Sequence, residues 1–347
     1  MNGEVFYWVL NMSIAGTVVG GAVLLIQRFL NLPKRLNFVL WAVPLLRLWL
    51  PFSIDSEYSL MRLIRKVTVR PVEYLEQLSP EQYFTQFWQG SSMMNSIGVA
   101  ESYFPIVYKK NAYELLFSTA EMIWLIAALA VLLAGVMIYG STIGELKTAE
   151  RISGHIYQSD KVTSPLVFGV FRPRIVVPTF LGLRDRGGSE NDGQVNAEGN
   201  ANAEEKANAR VSETEQMSDL DYVLLHEQTH IRRKDNLWRM IALLTCCLHW
   251  FNPFIWLFLK RFLADMELAC DEKVISICGE DQCKEYASAL LDYEEQKELF
   301  ASGFGGAGIR VRIRQILSYR RLTLYSAIGF LALLAVVVTT LLTNSAG

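Results

Sequence analysis

Four long apolar stretches limit what this sequence can fold into more than anything else in it. Val5 to Phe29 is an apolar run of roughly the length a bilayer needs, with no charge before Arg28. It is too long, and too poor in small-residue cleavage signals, for a removable signal peptide, so it reads as a retained first span. Leu36 to Phe52 is a shorter second candidate carrying Pro44 and Arg47. An arginine at that depth should face a protein partner or snorkel to the interface. Leu115 to Tyr139, interrupted near its start by Glu121, is the third, and Leu322 to Leu342 the fourth. The overall composition agrees: 51% hydrophobic residues is high for a soluble protein. A fifth apolar stretch, Leu237 to Phe262, contains Asn252-Pro253, which breaks a straight helix. It is expected to form a buried or membrane-apposed helical pair, not a further crossing.

Lysine and arginine in the flanks give the sidedness. Arg28, Lys34 and Arg35 follow the first span, and Arg310, Arg312, Arg314, Arg320 and Arg321 precede the fourth. Both groups should be cytoplasmic. The expected organisation is three transmembrane helices in 1–140 with an extracellular loop at 53–114, a cytoplasmic domain at 141–321, and a fourth transmembrane helix with a short extracellular tail at 322–347. Tyr83, Phe84, Phe87 and Trp88 suit a short amphipathic helix on the outer leaflet. A net charge of −2 offers no general reason for direct nucleic-acid binding. The five cysteines form no paired C-x-x-C units and are expected to be reduced, small apolar core residues.

Inside the cytoplasmic region lies His226-Glu227-Gln228-Thr229-His230. On a helix, histidines four apart share one face and can reach a single Zn²⁺, while Glu227 is placed to handle protons. A surface helix carrying the pattern by chance is the competing reading. Ser218 and Asp221 form a capping box that starts this helix. A catalytic zinc needs a third protein ligand, and with His155 and His249 the only other histidines, a carboxylate is favoured. Glu267 and Asp271 are four apart, so Glu267 is expected to bind the metal and Asp271 to accept a hydrogen bond from a ligating imidazole. Alone, that pair would read as a solvated acidic face. His249 stays open between an oxyanion role and a structural one. Residues 164–178 read as two β-rich runs around Phe171-Arg172-Pro173, either a substrate-binding edge or plain core sheet. Residues 184–216, rich in Gly, Asn, Ala, Glu and Ser, are expected to be a disordered insert.

Taken in order, Arg47 to Pro51, Ser164 to Pro178, His226 to Asp235, His249 to Pro253, Glu267 to Asp271, Tyr286-Ala287 and Ile309 to Leu317 resemble the M56 peptidase family. That family includes the membrane metalloprotease part of the BlaR/MecR β-lactam sensor-transducers. The resemblance implies a mainly α membrane protein with four transmembrane helices and an α+β gluzincin-type zinc metalloprotease domain. It implies zinc on His226, His230 and Glu267, with Glu227 as general base. It also implies a bacterial plasma-membrane protein whose active site faces the cytoplasm, acting in signalling on a cytosolic transcriptional repressor, on itself, or both. Ser302, Gly303, Phe304 and Gly305 then form a candidate self-cleavage loop, with a simple hinge as the alternative. The antibiotic sensors carry a penicillin-binding domain after the last span. This sequence ends at Gly347 without a Ser-x-x-Lys motif, so the expectation is a stand-alone protease. Its sensor would be the outer loop or a separate protein, and a homo-oligomer is compatible with the sequence. The rival readings are a housekeeping membrane protease of the HtpX type and a non-catalytic zinc-containing signalling scaffold.

Overall fold

The computed structural model describes residues 4–30, 32–50, 55–56, 110–162, 164–179, 217–295, 308–319, 324–342 and 344–345. Most of the outer loop, the 184–216 insert and the Ser302 to Gly305 loop lie outside them.

Helix α1 (Glu4–Phe29) is the uninterrupted first apolar run. Its glycines serve close packing: a Cβ on Gly16 would collide with Leu48, and one on Gly20 with Phe258. The second apolar run departs from a single span. It divides into α2 (Lys34–Leu40) and α3 (Ala42–Trp49), meeting at Trp41. Pro44 accounts for the break, because it has no N–H for the Leu40 carbonyl and its ring crowds that same group. Arg47 on α3 is buried within the protein. Helix α4 (Lys110–Leu146) is the longest element, with 37 residues. Among the described residues, Val5–Phe29 and Ser118–Leu146 are long and apolar enough to cross a membrane. The final helix, α10 (Leu324–Leu342), has a shorter apolar stretch, Ile328–Leu341. It packs Val337 and Leu341 against Ala15, Val19 and Val23 of α1. Two-residue strands β1 (Asp55–Ser56) and β6 (Asn344–Ser345) pair in parallel, so the chain beyond α3 meets the chain beyond α10.

After α4 comes a four-stranded sheet of β2 (Glu150–Ser153), β3 (Ile156–Ser159), β4 (Leu166–Phe168) and β5 (Arg174–Pro178), in the order β2-β3-β5-β4. Strand β5 runs parallel to β3 and antiparallel to β4, with Val167 opposite Ile175. As an inner strand it buries Ile175, Val176 and Val177 in succession. The hairpin joining β4 to β5 needs Gly169, at φ +95°, where a Cβ would meet the Arg172 carbonyl oxygen at 2.8 Å.

The remaining helices are α5 (Asp219–Arg233), α6 (Asp235–Leu248), α7 (Pro253–Cys278), α8 (Cys283–Glu295) and α9 (Ile309–Leu317). The apolar 237–262 stretch forms the α6–α7 hairpin. Asn252 caps α7 by accepting from Phe254 N at 3.0 Å, and Pro253 occupies the first turn where no N–H is missed. The hairpin is embedded against α1 to α3: Trp41 and Leu48 share a core with Ala242, Cys246, Ile255, Phe258 and Phe262. Asn252 Nδ2 donates to Ser13 Oγ at 2.8 Å and Thr17 Oγ1 at 2.7 Å of α1. All five cysteines are free thiols.

Candidate metal centre

Helix α5 starts where its sequence says it should: Ser218 N and Oγ donate to Asp221 Oδ2 at 2.9 and 2.6 Å. It ends at Lys234, which takes a left-handed conformation (φ 57°, ψ 38°). That turn starts α6 at once and places Asp235 beneath the end of α5, where its Oδ2 lies 2.6 Å from His230 Nδ1. His226 and His230 are both buried on the inner face of α5, and their Nε2 atoms are 3.1 Å apart. Across from them, α7 presents Glu267, whose Oε2 is 3.6 Å from His226 Nε2 and 3.5 Å from His230 Nε2.

The proton inventory fixes what this triangle can hold. With both imidazoles neutral, the form a metal binds, His230 donates from Nδ1 to the Asp235 carboxylate and turns a bare Nε2 inward. Tyr286 OH donates to Asp271 Oδ1 at 2.7 Å, so it accepts from His226 Nδ1 at 2.9 Å. That leaves His226 Nε2 bare as well. Two lone pairs and a carboxylate oxygen therefore converge with mutual separations of 3.1–3.6 Å. Metal–ligand bonds of about 2.0–2.1 Å in tetrahedral geometry call for donors roughly 3.3 Å apart. The residues fit a metal ion. The Cys270 thiol is close by: ligand atoms of His226, His230 and Cys270 lie within 4.8 Å of one another, and Sγ donates to the His226 carbonyl at 3.6 Å. The tighter triangle is the one with Glu267, and Cys270 backs it.

The electrostatics favour positive charge at the same point. Burial works against charging His226, but Cys270, Asp271 and Glu267 outweigh it and hold its pKa well above the ordinary value. Burial likewise opposes a charged His230, and Cys270, Glu267 and Asp235 reverse that. Burial would raise Glu267, yet the two histidines and Arg312 pull it well below the usual carboxylate range.

Each donor is braced. Arg239 Nη2 donates to Glu267 Oε1 at 2.7 Å, which leaves Oε2 for the centre. Arg312 of α9 clamps Asp271 through Nε to Oδ2 at 2.8 Å and Nη2 to Oδ1 at 2.7 Å, and its Nη2 comes within 3.4 Å of His226 Nε2. Burial would raise Asp271, but Arg312 and His226 hold it below its ordinary pKa. Glu227 is only partly buried and has no side-chain partner among the described residues, so its carboxylate is free to face a water or a substrate. Asn236 Nδ2 donates to the carbonyls of Val167 (3.2 Å) and Gly169 (2.9 Å), tying the β4 edge to the first turn of α6.

A family profile described as BlaR1 peptidase M56 matches residues 7–185 and 207–314. The chain belongs to the M56 peptidase family. The second matched segment contains every residue of the cluster just described. The regulatory protein BlaR1 of Bacillus licheniformis is 25% identical over 145 residues, 42% of this chain and 19% of that protein. The methicillin resistance mecR1 protein of Staphylococcus aureus strain Mu50 is 23% identical over 136 residues, 39% of this chain and 18% of that protein. The aligned part of this M56 chain thus spans less than a fifth of either relative.

The structure brings His226, His230, Glu267 and Asp271 together, with Glu227 the next residue after His226 on α5. His249 is elsewhere: buried at the end of α6, its Nε2 lies 3.2 Å from the Leu48 carbonyl, joining α6 to α3. Sequence reasoning gave Asp235, Arg239, Cys270, Tyr286 and Arg312 no part in the metal site. Asp271 Oδ1 lies 3.3 Å from His226 Nδ1, the contact expected from spacing, and Tyr286 OH bridges the same two groups. For Asp235 a signal existed, a carboxylate immediately after the turn that follows His230. Arg312 reads in the sequence as one more flanking charge.

Proposed function

We propose that this M56 chain is an integral membrane zinc endopeptidase of transmembrane signalling, with four crossings and its active site on the cytoplasmic side of a bacterial plasma membrane. The observation that carries the reading is the convergence of His226 Nε2, His230 Nε2 and Glu267 Oε2, with the two histidines on a helix that also carries Glu227, whose carboxylate has no partner among the described residues. A structural metal site needs no such base.

Bound there by His226, His230 and Glu267, zinc would supply a Lewis acid for a peptide carbonyl and an acidified water. Glu227 would be the group that holds and moves the proton, accepting it from water and delivering it to the leaving amine. Asp235 on one ring, and Tyr286 with Asp271 on the other, keep both Nε2 lone pairs inward as charge develops. The β4 edge, fastened to α6 through Asn236, is the surface on which an extended substrate would add a strand. His249, held on the Leu48 carbonyl, serves packing in this scheme. The substrate is a cytosolic repressor, the chain's own Ser302 to Gly305 loop, or both, and a separate sensor protein is a fitting partner.

Purified Glu227→Gln tests the assignment: it should keep its metal and lose proteolysis, and undiminished cleavage by that variant would sink it. Comparing new protein N-termini in cells expressing wild type and Glu227→Gln identifies the substrates, the 302–305 loop included.

A further inference from the structure

Helix α9 uses only one side to reach the metal site. Arg312 points inward to Asp271, and Ile316, fully buried, joins the core of Tyr222, Ile275 and Tyr286. The other side carries Arg310, Val311, Arg314, Leu317 and Ser318, all exposed, with Val311 at 52% and Leu317 at 56%. Their spacing of one, four, seven and eight residues makes a single stripe along the helix. No acidic residue occurs anywhere from Gly308 to Gly347. The stripe is too basic to be a covered core face and carries two large aliphatic side chains that water does not favour.

Its position in the fold says what lies against it. Asp271, which anchors α9, is followed by Glu272, and Glu272 Oε2 accepts from the backbone of Lys34 (2.6 Å) and Arg35 (3.3 Å) at the start of α2. Arg35 Nη2 also donates to the Glu272 carbonyl at 2.9 Å. Thus α9 and the basic turn that ends the long apolar helix α1 are anchored on neighbouring residues of α7, Asp271 and Glu272. Along the sequence only residues 318–323, including Arg320 and Arg321, separate α9 from the apolar helix α10. Through α7 on one side and six residues of chain on the other, it is linked to the ends of two apolar helices.

We propose that the Arg310–Val311–Arg314–Leu317 stripe is a seat for anionic phospholipid, with the guanidinium groups on headgroup phosphates and the two aliphatic side chains entering the acyl boundary. The proposal rests on membrane residence, not on peptidase activity. Because Arg312 sits on the same nine-residue helix, the lipid contact and the clamp on Asp271 are joined through one rigid element.

The test is amide hydrogen exchange of 309–317 in the full chain, reconstituted in nanodiscs of phosphatidylcholine with or without phosphatidylglycerol. Exchange should slow on the order of tenfold with the anionic lipid, and the difference should vanish in high salt. Arg310→Gln with Arg314→Gln should abolish it, while Arg310→Lys with Arg314→Lys should retain most of it. Exchange of the buried 268–275 segment reports whether each variant is folded. Equal exchange in the two lipids overturns the proposal, as does anionic-lipid dependence that survives the glutamine pair. Equivalent slowing by inorganic phosphate in phosphatidylcholine discs, or slowing that follows the number of chains per disc instead of lipid charge, also overturns it. The outcome is independent of whether Glu227→Gln loses proteolysis.

Discussion

The two histidines of the candidate metal centre are held by different parts of the molecule. His230 is braced locally, by Asp235 five residues on, through a left-handed turn at Lys234. His226 is braced by an assembly: Tyr286 from α8, Asp271 from α7 and Arg312 from α9 meet around its ring. The local brace needs only α5 and the first residue of α6. The assembled brace exists only when three further helices have docked. One half of the site is therefore a property of the motif helix, and the other half reports whether the fold around it is complete.

Arg312→Ala attacks the assembled side and should have the largest effect. It takes from Asp271, which is fully buried, the bidentate guanidinium that is its principal counter-charge, at a cost of about 3 kcal/mol. Thermal unfolding of the metal-free protein should shift down accordingly, and Arg312→Lys, which restores charge but not the bidentate fork, should recover part of it. Asp235→Asn attacks the local side. It should weaken metal binding by roughly 10–100-fold, read by chelator competition, with much less loss of stability than Arg312→Ala. Equal losses of stability in the two variants would erase the distinction between local and assembled bracing. Tyr286→Phe removes only the relay between Asp271 and His226. It should cost about 1–3 kcal/mol, because a buried ring nitrogen and a carboxylate oxygen each lose a partner.

The same contrast explains what was legible in the sequence. His226, His230, Glu267 and Asp271 are visible because a helix converts a spacing of four into a shared face, whatever the tertiary fold. The Ser218 cap and the Asn252-Pro253 break are visible for the same reason, each being a local matter of backbone donors. Arg312 is not, since it meets Asp271 across 41 residues of sequence and a charged residue beside an apolar run has a simpler reading. Tyr286 is hidden too: a tyrosine on an amphipathic helix announces only burial. In the second apolar run both Pro44 and the hydropathy were apparent. Hydropathy reports length of apolar chain, however, and the proline decides that the chain is two short helices.

Acid should separate the two braces with the smallest change to the clamp itself. His226 and His230 have raised pKa values, so without metal their protonation stabilises the fold. That contribution is fully present below the ordinary histidine value near 6.5 and is lost as pH rises through the raised folded values. With metal bound the sign reverses, because protons compete for the same Nε2 atoms and metal-linked stability falls as pH falls. Asp271 behaves oppositely to the histidines: its depressed pKa contributes stability above the ordinary aspartate range, lost only when pH drops through the still lower folded value. Between neutral and mildly acidic pH, metal should therefore leave while the Arg312–Asp271 clamp stays closed. Parallel titrations can check this, one following metal release with a chromogenic chelator and the other following amide exchange in 309–317. Loss of protection in α9 at the same pH as metal release would mean that the clamp depends on the ion and that the two halves of the site are one cooperative unit.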